Sequence, residues 1–194
     1  MIKLYTPFFY FSIMNRILSI LVFWICFTYV NAQDITKFYK QSMHTEGLLY
    51  FVYPQKMSIK KGESSSICKK KLSYDYTYLD SKDSVTILMT ITTSVPYKPD
   101  SIDITYNSGT QKSSISGNTE ILYVESQKKY WITRVRTTIG YNEWANIYKS
   151  PTPIMVSFSS DADKQRIEYM DSQKRWKKVS MKFIRLFQLI GYNN

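Results

Sequence analysis

The stretch Leu72-Ser73-Tyr74-Asp75-Tyr76-Thr77-Tyr78, joined through Leu79 and Asp80-Ser81-Lys82-Asp83 to Ser84-Val85-Thr86-Ile87-Leu88-Met89-Thr90-Ile91, decides the fold class. In its first half Leu72, Tyr74, Tyr76 and Tyr78 alternate with Ser73, Asp75 and Thr77. In its second half Val85, Ile87, Met89 and Ile91 alternate with Ser84, Thr86, Leu88 and Thr90. Side chains of a strand point to opposite faces in turn, so a period of two gives each segment one apolar and one largely polar face. Asp80 to Asp83 supplies the polar connection of a hairpin.

Working outward, further strands are expected at Leu48 to Tyr53, Ser58 to Lys61, Ser101 to Tyr106, Glu120 to Glu125, Tyr130 to Thr138 and Ile154 to Ser159. Between them stand Pro54, Gly62, Pro96 with Pro99, Asn107-Ser108-Gly109, Ser116-Gly117-Asn118, Gly140, and Pro151 with Pro153. These residues supply turn dihedrals or remove a ladder donor. About eight strands at this spacing predict a mainly β chain, an antiparallel sandwich or partly closed barrel.

Helical spacing appears in three places. Asp34 is placed to cap a short opening helix carrying Ile35, Phe38 and Tyr39, and Tyr141 to Tyr148 fits two turns with Trp144, Ile147 and Tyr148 on one side. The third helix spans about residues 172–190. Asp171 or Ser172 offers an N-cap oxygen and Gly191 stands where a C′ glycine would. Trp176, Val179, Phe183, Leu186, Phe187 and Ile190 recur at three- and four-residue steps, an apolar arc of roughly 100° that is expected to pack on the sheet.

The chain has 194 residues, a length for one principal domain with a substantial core. Residues 1–32 read as a secretory signal peptide: Arg16 precedes the apolar run Ile17 to Val30, and Val30-Asn31-Ala32 fits a cleavage site. Met14 makes a compact alternative start. An uncleaved N-terminal anchor is the weaker alternative, since it needs a longer run than this one. Residues 33–194 then form a single secreted or periplasmic β-rich domain without a membrane span. Cys68 is the one cysteine of that domain and reads as a buried small hydrophobe; with no partner it forms no intrachain disulfide.

Composition excludes several chemistries. One His rules out imidazole-rich metal sites and most catalytic triads. Neither G-x-G-x-x-G nor G-x-x-x-x-G-K-[ST] occurs, so no cofactor is expected. Ser66-Ile67-Cys68-Lys69 and Ser126-Gln127-Lys128-Lys129 match S-x-x-K but lie outside helical patterns, where the pair cannot share a turn. His44 is placed near a helix end with a structural role. Asp80 with Asp83, Asp100 with Asp103, and Asp161 with Asp163 fall at turns or element edges, where carboxylates bond the local backbone. A small hydrolase would need such carboxylates to meet in three dimensions, and a glycan-binding sandwich would need aromatics on the polar face of one sheet.

The charge is the feature that asks for a partner: 26 Lys and Arg against 15 Asp and Glu give +11. From residue 172 onward the chain carries Lys174, Arg175, Lys177, Lys178, Lys182 and Arg185 and no acid. Lys174, Lys177, Lys178, Lys182 and Arg185 form the predicted site, a basic ridge opposite the apolar stripe, for an anionic envelope component or another envelope protein. Nucleic acid is not expected for an exported chain. Lys69-Lys70-Lys71 with Lys60 and Lys61 marks a second candidate patch. The expected function is non-enzymatic binding at an envelope.

Overall fold

A computed structural model describes residues 35–60, 66–162 and 164–192. The expected signal peptide, with Met14, Cys26 and Asp34, lies outside the described residues, as do Lys61, Gly62 and Asp163. The chain from Tyr39 onward is one compact unit.

Ten strands build two antiparallel sheets. They are β1 (Tyr39–His44), β2 (Gly47–Met57), β3 (Leu72–Leu79), β4 (Ser84–Thr93), β5 (Ser101–Ser108), β6 (Gln111–Asn118), β7 (Glu120–Gln127), β8 (Tyr130–Gly140), β9 (Met155–Ser160) and β10 (Gln165–Met170). Helix α1 (Tyr141–Ile147) follows β8 and helix α2 (Gln173–Tyr192) ends the chain. One sheet has the order β1-β2-β3-β4-β8-β7 and the other β10-β9-β5-β6. The architecture is a β-sandwich with a C-terminal helix, as the alternation predicts.

The β3–β4 hairpin has the predicted register, with Tyr74 opposite Met89, Tyr76 opposite Ile87 and Tyr78 opposite Val85. All six of these side chains are buried, while Asp75, Thr77, Thr86 and Leu88 are partly exposed on the other face. Part of the inner face meets Ile104 of β5 and Val156 of β9, which close on Met57, Leu72, Tyr74 and Met89 and leave an apolar space of only about 10 Å³. The helices cover another part. Tyr76 meets Trp144 of α1 edge-on at 5.7 Å and stacks on Phe183 of α2 at 5.5 Å, and Tyr78 stacks on Tyr141 at 4.3 Å.

Four expectations are corrected. Residues 35–38 form a turn and Tyr39 begins β1, so the short opening helix does not form here. The polar segment Tyr39–His44 gains its structure by pairing with β2, Lys40 opposite Phe51 and Ser42 opposite Leu49. His44 accordingly ends a strand rather than a helix, and its Nδ1 accepts from the Glu46 amide at 3.3 Å. Ser58 to Lys60 is not a ladder strand: Ile59 makes a single bridge to Tyr169, with Lys60 N donating to Glu168 O and Met170 N to Ser58 O. Gly191 lies within α2, so the helix runs past the predicted stop.

The chain changes sheets at both sides of the sandwich. At one, Thr119 alone separates β6 from β7; its amide donates to Asp100 O at 3.0 Å and its hydroxyl to Pro99 O at 2.5 Å. At the other, the chain leaving β2 at Met57 crosses to the edge of β10 through the Ile59 bridge. The second crossing pairs backbone of β10 that would otherwise stand as sheet edge.

Candidate functional site

The predicted ridge is built by the way α2 is held. Trp176 is 1% exposed, stacks on Tyr148 at 5.5 Å and donates its Nε1 to Ser150 O at 3.0 Å. Phe183, Leu186 and Ile190 are fully buried, and Phe183 lies against Tyr148 with ring centroids 3.9 Å apart. With the apolar stripe committed to the domain, it cannot also enter a bilayer. The opposite face must then be the outer one.

On that outer face Lys174, Lys177, Lys178 and Arg185 are exposed and Lys182 is partly exposed. Among the described residues no carboxylate forms an ion pair with Lys174, Lys177, Lys178 or Arg185. Met181 stands among them, 46% exposed, three to four residues from Lys177, Lys178 and Arg185. Arg175 behaves differently: it pairs with Asp171 at 3.3 Å and donates to Lys56 O. Asp171 also accepts from Ser58 N at 3.1 Å, so its carboxylate ties the helix start to the end of β2. Burial pushes its carboxyl pKa up against the lowering effects of Ser58 and Arg175.

The described lysines of the second candidate patch each have a different neighbour, and Lys61 lies outside the described residues. Lys60 pairs with Glu168 at 2.6 Å, and this hydrogen bond is the main reason the Glu168 carboxyl titrates below its usual range. The three consecutive lysines part company. Lys69 donates to Ser66 O at 3.1 Å, Lys71 acts on the Asp171 carboxylate, and Lys70 lies over the Tyr130 ring at 5.2 Å. Lys70 joins Gln127, Lys128, Lys129 and Tyr130 around an open cavity of about 450 Å³ at the β7–β8 turn. Strand register brings them together, because Thr93 has Trp131 on one side and Cys68 on the other. Sequence spacing could not show this; only the pairing of β4 with both segments does.

The remaining carboxylate candidates bond segments distant in sequence rather than the backbone of their own turns. Asp80 accepts from Leu48 N at 2.9 Å and Asp100 from Asp161 N at 2.8 Å, while Asp103 accepts from the Ser116 hydroxyl. Ser66 lies in a turn, and Ser126 is the penultimate residue of β7 with Lys129 in the turn beyond, so neither S-x-x-K pair shares a helical turn. Cys68 is 4% exposed, its sulfur 3.5 Å from the Tyr169 hydroxyl, and burial raises its thiol pKa. Among the described residues no group of three or more His, Cys, Asp or Glu is placed to hold a metal ion, and no helix is long and apolar enough to cross a membrane.

The outer face of the six-stranded sheet carries aromatics that the alternation of β3 and β4 does not reveal. Phe51 and Tyr53 of β2 and Tyr123 of β7 are 38%, 46% and 46% exposed. Between those strands the Arg134–Asp75 ion pair, 2.7 Å, crosses the sheet. The signal lay in β2, where Phe51 and Tyr53 alternate with the buried Tyr50 and Val52. Compared with protein families, curated proteins and solved structures, the chain matches none.

Proposed function

We propose that this is an exported, non-enzymatic binding protein that holds to an anionic envelope surface through Lys174, Lys177, Lys178, Lys182 and Arg185. The observation that carries this reading is the exposed row of Lys174, Lys177, Lys178 and Arg185, without carboxylate partners among the described residues, on a helix whose other face is fixed in the core. A cation held on a rigid scaffold meets an anionic surface at a lower ordering cost than one on a mobile tail. Each basic residue close to an anionic leaflet contributes about 1 kcal/mol, so four or five give a contact that is strong at low ionic strength and weak at high.

The test is co-sedimentation of the full chain with vesicles containing anionic lipid, at low and at high salt, with purely zwitterionic vesicles alongside. The triple variant Lys174→Glu, Lys178→Glu, Lys182→Glu should lose binding while keeping its unfolding midpoint. If it sediments as strongly as the parent at low salt, the ridge is not the contact.

The exposure of Phe51, Tyr53 and Tyr123 on one sheet face favours a second reading, stacking of sugar rings on aromatic faces. Retention of the parent, but not of Phe51→Ala with Tyr53→Ala, on immobilised neutral polysaccharide would support it, and equal passage of both would refute it.

A further inference from the structure

The open cavity at the β7–β8 turn is lined by residues from two parts of the chain, among them three lysines, Lys70 from the segment before β3, and Lys128 and Lys129 from the turn itself. It is separate in composition from the α2 ridge, since the two share no residue. Its volume, about 450 Å³, lies in the range of small-molecule sites, although it is open rather than enclosed.

Its electrostatics are lopsided. No carboxylate lines it, and none pairs with Lys70, Lys128 or Lys129 among the described residues. The nearest acid in sequence, Glu125, accepts from Gln127 Nε2 at 3.0 Å. Three lysines gathered around one space carry like charges that repel one another, and a polyvalent anion among them converts that repulsion into attraction. Lys70 is not left to swing freely: its Nζ lies 5.2 Å from the Tyr130 ring centroid, where the negative face of the ring holds a cation. Lys128 adopts φ +54°, a conformation for which Gly or Asn is the usual occupant. The turn therefore carries a lysine where the backbone favours Gly, Asn or Asp.

We infer that Lys70, Lys128 and Lys129 form a binding site for a phosphate or sulfate ester, with Tyr130 as the residue that positions Lys70. The recognised chemistry is a tetrahedral oxyanion with several acceptor oxygens, each able to take an N–H from a different ammonium. The cavity has room for the sugar or alcohol that bears the ester, and the Gln127 amide offers a neutral donor and acceptor to its hydroxyls.

Calorimetric titration of the full chain with glucose 6-phosphate, glucose 6-sulfate, inorganic phosphate and glucose tests the inference. Both esters should bind and glucose should not. Tighter binding of the esters than of inorganic phosphate assigns the site to an ester-bearing ligand, and equal binding assigns it to the free anion; either result supports an oxyanion site. Lys70→Ala and Lys128→Ala should each weaken binding about tenfold, the size of one lost charge-assisted hydrogen bond. Tyr130→Phe should bind like the parent and Tyr130→Leu more weakly, because only the former keeps a ring under Lys70. The triple α2 variant should bind the esters unchanged, so failure of the ridge and failure of this site are told apart. Absence of binding by either ester and by phosphate, or affinity unaltered in both lysine variants, overturns it.

Discussion

Truncating Phe183 to alanine is the sharpest test of how α2 is held. The ring is fully buried, lies 3.9 Å from the Tyr148 centroid and 5.5 Å from that of Tyr76, and both contacts are stacked. Deleting a buried Phe side chain costs about 3 to 5 kcal/mol when the neighbours cannot collapse into the space. Collapse is difficult here, because Tyr148 is fixed on its far side by Trp144 at 5.2 Å and Trp176 at 5.5 Å. Two aromatic pairs, each worth about 0.5 to 1.5 kcal/mol beyond area burial, place the loss in the upper half of that range. With a urea dependence of about 2 kcal/mol per molar, Phe183→Ala should lower the unfolding midpoint by roughly 2 M. The exposed Lys174→Ala should stay within about 0.5 kcal/mol of the parent. The assay is equilibrium urea unfolding followed by tryptophan fluorescence and far-ultraviolet dichroism. A loss below about 1 kcal/mol in Phe183→Ala would refute the packing described and remove the ground for calling the lysine face the outer one.

Two further outcomes are expected. Gly47 begins β2 at φ +141°, and a Cβ there would stand 2.0 Å from Asp80 Oδ1, the oxygen that accepts from Leu48 N; Gly47→Ala should therefore cost about 1 to 3 kcal/mol in the same unfolding experiment. Burial raises the phenols of Tyr74, Tyr76, Tyr148 and Tyr169, and that of Tyr141 to about 12, so the folded chain keeps protons that the unfolded chain releases above its ordinary value of 10. Their contribution is complete below that value and is lost as pH rises toward the folded values. Alkaline titration should show tyrosinate absorbance for these residues appearing together with loss of structure, and independent ionisation in the folded state would contradict their burial.

What the sequence discloses and what it withholds follow from the kind of contact that orders each segment. Strands β3 and β4 are legible because each presents a continuous apolar face to the core, and α2 is legible because Trp176, Phe183, Leu186 and Ile190 share one side. Strand β6, Gln-Lys-Ser-Ser-Ile-Ser-Gly-Asn, has almost no apolar content; it is a strand because β5 offers it a ladder, Ile104 opposite Ile115 and Tyr106 opposite Ser113. Edge strand β1 is exposed for the same reason and was open to a helical reading. In β10 the signal was present, since Ile167 and Tyr169 are buried between exposed or half-buried neighbours, but its six residues sit between a polar turn and the stronger helical pattern. The lysines of α2 can be read as a ridge from helical periodicity alone. The approach of Lys70 to Lys128 and Lys129 cannot, because it depends on which strand stands between them.

The two crossings between the sheets have a consequence for where recognition can happen. Thr119 joins one pair of edges covalently, and on the other side the backbone bonds of Lys60 to Glu168 and Met170 to Ser58 lace β10 to the strand that left the opposite sheet. Sheets fastened on both flanks cannot part like covers of a book, and the described gap between them, about 10 Å³, holds no more than a single water. Where Met57, Leu72, Tyr74 and Met89 meet Ile104 and Val156, the described interior is closed. A partner bound as proposed would meet outer side chains whose positions the laced interior keeps constant.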